Sequence, residues 1–155
     1  MKNIYILYET YDVDDIWPYA FSEQLPKVTD AFKHTWFPRF TANAAPDAEL
    51  VLVSTTISDE DYELLSDAFN SVSDPCDLYL EDSLKTVLEN IDESRYQPGT
   101  STKELLILPG EATREEFITW FAKKLKMSPD EVEDWIDPDS TKWQNAAAEY
   151  AATII

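Results

Sequence analysis

Residues 50–56, Leu-Val-Leu-Val-Ser-Thr-Thr, form a continuous aliphatic and β-branched run bounded by turn residues. Such a run reads as a buried strand. Residues 3–10 share this character: Ile4, Ile6 and Tyr8 fall on one face, Tyr5 and Leu7 on the other. With both faces apolar, they predict a central strand covered on two sides. Residues 104–108 form a third short apolar run, ended by Pro109-Gly110. Three strands alternating with helical patterns predict an α/β fold. The expected form is a small three-stranded sheet with helices packed on it, parallel neighbours being one arrangement, followed by a helical C-terminal subdomain.

The intervening segments read as helices. Residues 16–40 carry a helical pattern interrupted by Pro26 and Pro38, with Pro18 acceptable in a first turn. Val28, Phe32 and Trp36, at i, i+4 and i+8, define the inward stripe of the second piece. The aromatic density here (Trp17, Tyr19, Phe21, Phe32, Trp36, Phe37, Phe40) reads as core ahead of partner surface. Thr41–Glu49 is a polar connection. After Ser58, Tyr62, Leu65 and Phe69 line one face of a helix whose other face is acidic, and a further helix is expected to begin near Pro75 with Leu80, Leu84, Val87 and Leu88 inward. Residues 95–102, with Pro98-Gly99, are the best linker candidate. The expected division is an α/β domain over 1–110 and a helical subdomain over 111–155.

That subdomain carries the sharpest local signals. Thr113 with Glu116 predicts a capping box, and Ser128-Pro129-Asp130-Glu131 a second one with proline at the first helical position. Asp137-Pro138 ends the second helix, and a last one runs from about Asp139.

Charge limits the function classes. The 155 residues hold 31 acids against 12 bases, a net charge of −19. A field of that size repels nucleic acid and anionic membranes and accelerates encounter with basic partners. A salty habitat or an acid-rich proteome would also explain the excess. From Asp59 to Glu93 there are twelve acids and one base, Lys85, so internal ion pairs cannot neutralise this face. Twenty aromatic residues argue against disorder. Cys76 stands alone, which excludes an intrachain disulfide and fits a reducing compartment; cytoplasmic location is expected. No apolar window is long enough to span a membrane. The two glycines, Gly99 and Gly110, lie in no phosphate-cradling loop, and no cofactor is expected. His34 has no evident nucleophile beside it, and Cys76 lies between Asp74 and Asp77, which do not lower a thiol pKa.

Residues 121–136, Phe-Ala-Lys-Lys-Leu-Lys-Met-Ser-Pro-Asp-Glu-Val-Glu-Asp-Trp-Ile, resemble a phage-repressor type of helix-turn-helix. The resemblance rests on the Ala-Lys-Lys-Leu end of the first helix, the apolar residue and Ser at the turn, and Val132 and Trp135 as inward positions. It departs where that family usually has glycine, here Lys126. The resemblance implies that the second helix would enter a major groove. Its outward residues, Asp130, Glu131, Glu133 and Asp134, would lose counterion-release energy there. Lys123, Lys124 and Lys126, the only basic cluster, are better read as cations complementing a helix C-terminus.

Composition is similar to that of the acidic DNA-mimic inhibitors of phages and plasmids, of the anti-restriction and anti-CRISPR kind. That similarity implies a non-catalytic role in which carboxylates occupy the phosphate sites of a basic, nucleic-acid-binding protein, without direct contact to nucleic acid or membrane. The candidate partner-binding residues are Asp59, Glu60, Asp61, Glu63 and Asp67 on one helix, with Asp130, Glu131, Glu133 and Asp134 on the other. Three alternatives remain: an immunity protein against a nuclease toxin, a vestigial helix-turn-helix regulator, and a metal-dependent enzyme using Glu9, Asp12, Asp14 and Asp15 just past the first strand. Helix capping and turn formation explain the last group more simply.

Overall fold

The computed structural model describes residues 1–12, 15–43 and 47–155, with only the backbone given for Asp12 and Asn43. The chain is α/β: a four-stranded antiparallel sheet with helices packed on it and a helical C-terminal region. The strands are β1 (Lys2–Asp12), β2 (Asp15–Ser22), β3 (Glu49–Ile57) and β4 (Lys103–Pro109), in the order β2-β1-β3-β4. The helices are α1 (Leu25–Ala31), α2 (Phe37–Asn43), α3 (Asp59–Asn70), α4 (Asp82–Ser94), α5 (Gly110–Leu125), α6 (Pro129–Trp135) and α7 (Thr141–Ile154).

The sheet has one strand more than expected. Residues 15–22, expected to open a helix with Pro18 in its first turn, instead form β2, paired antiparallel with β1. Pro18 is tolerated because β2 is an edge strand and its register breaks at that point. Leu7 faces Ala20 and Tyr8 faces Pro18, which leaves Tyr19 as an extra residue in a bulge. Neighbouring strands are antiparallel rather than parallel. β1 is interior to the sheet, as expected.

Two compact units are present: residues 1–28 with 50–107, and residues 29–49 with 108–155. In the first, Ile4, Ile6, Tyr8, Val51 and Val53 from the sheet form one core with Leu65 of α3 and Leu84, Val87, Leu88 and Ile91 of α4. Leu7, Leu50 and Leu52, at alternate strand positions, are equally buried. The helix expected near Pro75 is a short 3-10 turn, Pro75–Asp77, capped by Asp74; α4 proper begins at Asp82, so Leu80 precedes it. Residues 95–102 lie inside this unit and are no linker between units. They are tied down by Thr102 Oγ1, which lies 2.7 Å from Thr55 Oγ1 and 2.6 Å from Ser94 Oγ. Gly99 takes a left-handed φ of 82°, the conformation its turn needs.

In the second unit, a π-helical turn over Phe32–Trp36 leads into α2, where Phe37 N–H reaches back to Phe32 O. The widened turn gives Pro38 room at the start of α2 without breaking the helical run. Helix continues to Asn43, so Thr41–Asn43 belong to α2 and not to the expected polar connection, of which residues 44–46 lie outside the described residues. Phe32 and Trp36 are buried, as their spacing predicts, and Phe37 and Phe40 join them inside; Val28, the first residue of that stripe, is buried as well and belongs to the first unit. The capping box expected at Thr113 does not form. α5 begins earlier, where Gly110 N–H donates to Ala48 O at 2.7 Å, and Thr113 is buried one turn inside. The box at Ser128 does form. Ser140 caps α7 by accepting from Trp143 N–H.

Between α5 and α6, Lys126 adopts φ 57°, ψ 43°. This is the left-handed turn position where the resembled motif usually has glycine, so a tight helix pair forms without it. One inward position is corrected. Val132 is buried, but Trp135 is 71% exposed, and Ile136 takes the inner place. Residues 132 and 136, four apart, share a face, which turns residue 135 by about 100° toward solvent.

Candidate functional site

The acids expected to meet a partner divide between the two units. On α3, Leu65 points into the core, so Glu60, Glu63 and Asp67, at i, i+3 and i+7, stand on the exposed face. Asp61 is half-buried, and its backbone N–H is capped by Ser58 Oγ at 3.1 Å. Asp59 lies 3.0 Å from the amino group of Met1. Among the described residues, Glu60, Asp61, Glu63 and Asp67 have no ion-pair partner. Acids in the first turn also favour the helix N-terminus through its dipole, so Asp59, Glu60 and Asp61 have a local role as well.

Two of the four acids on α6 have local work. Glu131 Oε1 accepts from Ser128 N–H at 3.2 Å, completing the capping box. Glu133 pairs with Arg114 at 2.8 Å. Asp130 and Asp134, four residues apart, remain exposed without an ion-pair partner among the described residues. Trp135 follows Asp134 and presents an indole to solvent. Its spacing from Val132 predicts an inward place instead. The signal was ambiguous because Val132 can share its face with either Trp135 or Ile136, and only the helix end decides.

The acids expected as metal ligands are not gathered. Glu9, at the end of β1, is 5% exposed, and its Oε2 accepts from the hydroxyls of Tyr11 and Tyr19. The bulge in β2 brings Tyr19 to this position. Asp15 is exposed, while the Asp12 side chain and Asp14 lie outside the described residues. Among the described residues no group of three or more His, Cys, Asp and Glu side chains has metal-holding geometry. His34 and Cys76 are both exposed.

Comparison with known protein families, curated proteins and solved structures finds no match. No helix among the described residues is long and apolar enough to cross a membrane.

The tyrosines around Glu9 have a measurable consequence. Burial, then hydrogen bonding to Glu9, pushes the Tyr11 phenol up to about 12. Tyr19 is raised for the same reasons, and Tyr8 by burial and by Asp92. For a phenol raised on folding, the unfolded chain loses its proton first. The stabilisation is therefore complete below the ordinary tyrosine value near 10 and is lost as pH rises toward 12. In an alkaline titration followed by phenolate absorbance, Tyr8, Tyr11 and Tyr19 should resist ionisation near pH 10 and appear together with loss of secondary structure. Three phenolates appearing in the still-folded protein would contradict this arrangement.

Proposed function

We propose that this chain is a binding protein, not an enzyme, that inhibits a basic, nucleic-acid-binding protein by occupying its phosphate-binding surface, in the cytoplasm. The observation that carries the reading is the display on α3 of Glu60, Glu63 and Asp67, which share an exposed helix face and have no ion-pair partner among the described residues. Helical display spaces acceptors along a rigid rod, and a basic surface that evolved for phosphates meets them with charge-assisted hydrogen bonds. The net charge of −19 adds steering over longer range.

Asp130, Asp134 and Trp135 support a second contact of different character. A phosphate backbone has no counterpart to an exposed indole, and tryptophans flanked by charge are common energetic centres of protein interfaces. The partner is therefore a protein whose basic surface also holds an apolar recess. Capture on the immobilised chain at low salt, followed by affinity measurement against the recovered protein, tests this reading. The Glu60→Gln, Glu63→Gln, Asp67→Asn variant should flatten the salt dependence and slow association. Trp135→Ala should cost on the order of 2 kcal/mol, about thirtyfold in affinity, with the salt dependence unchanged. Salt-insensitive binding by the wild type would contradict the proposal.

A further inference from the structure

The first unit contains an open cleft of about 490 Å³ between the β1–β2 hairpin and the segment leading to α4. Three aromatic side chains line it, Tyr11, Trp17 and Tyr79, with the aliphatic Ile16, Leu78 and Leu80 and one charge of each sign, Asp15 and Lys85. Two of the rings are held in place. Trp17 Nε1 donates to Pro75 O at 3.0 Å, and the Tyr11 hydroxyl donates to the buried Glu9 carboxylate. The third, Tyr79, is 81% exposed, the most exposed aromatic side chain in the described chain. Tyr79 thus presents its ring to solvent on the wall of the cleft, beside two fixed rings.

Charge selects the occupant. Asp15 has no ion-pair partner among the described residues, Glu9 stands behind Tyr11, and Asp77, Glu81 and Asp82 flank the Tyr79 segment in sequence. Against these, Lys85 is the one cation among the described lining residues. An anion would meet this excess of carboxylates, and a neutral ring would make no use of Asp15. A guanidinium satisfies both features: it is planar, weakly hydrated, stacks on aromatic faces and hydrogen-bonds to carboxylates.

We infer that this cleft receives an arginine side chain of the partner protein, stacked among Tyr11, Trp17 and Tyr79 and paired with Asp15. The inference rests on the reading of the chain as a binder of basic proteins and deepens it by naming the residue recognised. Lys85 opposes the incoming charge and orients it toward Asp15.

The test is a titration of the full chain with Nα-acetylarginine amide, followed by the NMR resonances of the Trp17 indole N–H and the Tyr79 ring. Nα-acetylcitrulline amide, a neutral isostere, is the control. Arginine should shift both resonances saturably, and citrulline should bind weaker by on the order of tenfold. Asp15→Asn and Tyr79→Ala alter exposed side chains, so both variants should fold, and each should weaken binding by roughly threefold to tenfold. Lys85→Gln should strengthen it. Equal binding of citrulline, the absence of a saturable shift, or indifference to both Asp15→Asn and Tyr79→Ala would overturn the inference. An oligoarginine peptide separates it from the broader reading. If that peptide moves resonances of α3 in a salt-dependent way while Trp17 and Tyr79 stay still, the acidic binder stands and the arginine cleft falls. If neither ligand binds, both fall.

Discussion

Asp92→Ala should destabilise the protein by roughly 3–5 kcal/mol, the range for removing one partner of a buried ion pair. The Arg95 side chain is 2% exposed, and its Nε lies 2.8 Å from Asp92 Oδ1. The same carboxylate oxygen accepts from the Tyr8 hydroxyl at 2.8 Å. Asp92 thus serves a guanidinium from its own helix end and a phenol from the central strand. Glu104, at 3.8 Å and more exposed, is a more distant partner of the same guanidinium, which also lies over the Tyr96 ring. Chemical unfolding of the variant should give the loss directly, and Glu93→Ala, one position on and exposed, should stay within about 0.5 kcal/mol of the wild type. The double variant Asp92→Ala, Arg95→Met should recover much of the loss, since the buried guanidinium is then removed together with its nearest carboxylate. A single-variant loss below about 1 kcal/mol would mean that the pair is no better than a surface ion pair. Of the twelve acids between residues 59 and 93, Asp92 is therefore structural.

Trp143→Ala should cost a similar amount, about 3–5 kcal/mol, by leaving a large cavity in the helical unit. Trp143 is fully buried, its ring 5.3 Å edge-on from Phe117 and 6.1 Å from Phe121, and its Nε1 donates to Thr41 Oγ1 at 3.3 Å. Phe117 is the hub, also packed against Phe37, Trp120 and Tyr150. The Thr41 hydroxyl can bond to Phe37 O or Pro38 O as well, so Trp143→Phe keeps most of the packing and should lose only about 1–2 kcal/mol. Similar losses for Ala and Phe would place the cost in the hydrogen bond and contradict the packing account. Thermal or urea unfolding followed by near-ultraviolet circular dichroism distinguishes the two.

The elements visible in the sequence were those whose pattern has one solution. Residues 50–56 and 3–10 could only be buried strands, and Ser128-Pro129-Asp130-Glu131 carries a complete helix start. β2 was hidden because Pro18 argues against a strand until the strand is known to be an edge with a bulge. The start of α5 was hidden because a local capping pattern at Thr113 competed with a long-range hydrogen bond from Gly110 to Ala48, and the tertiary contact prevailed. The acidic faces were legible from spacing alone. Their internal commitments were not: Glu131, Glu133 and Asp92 are engaged by partners that only the fold identifies. The cleft was invisible for the same reason, since Tyr11, Trp17 and Tyr79 meet only once β2 pairs with β1 and the Pro75–Asp77 turn takes the Trp17 indole.

Competition decides most directly where the acidic faces go. The protein captured by this chain is bound to a labelled DNA duplex, and unlabelled chain is titrated in at fixed salt, with the Glu60→Gln, Glu63→Gln, Asp67→Asn variant in parallel. The wild type should displace the duplex completely while showing no retardation of the duplex on its own, and the neutralised variant should displace it far less well. A ternary complex of chain, partner and duplex would show that the carboxylates do not occupy the phosphate sites and would contradict the account.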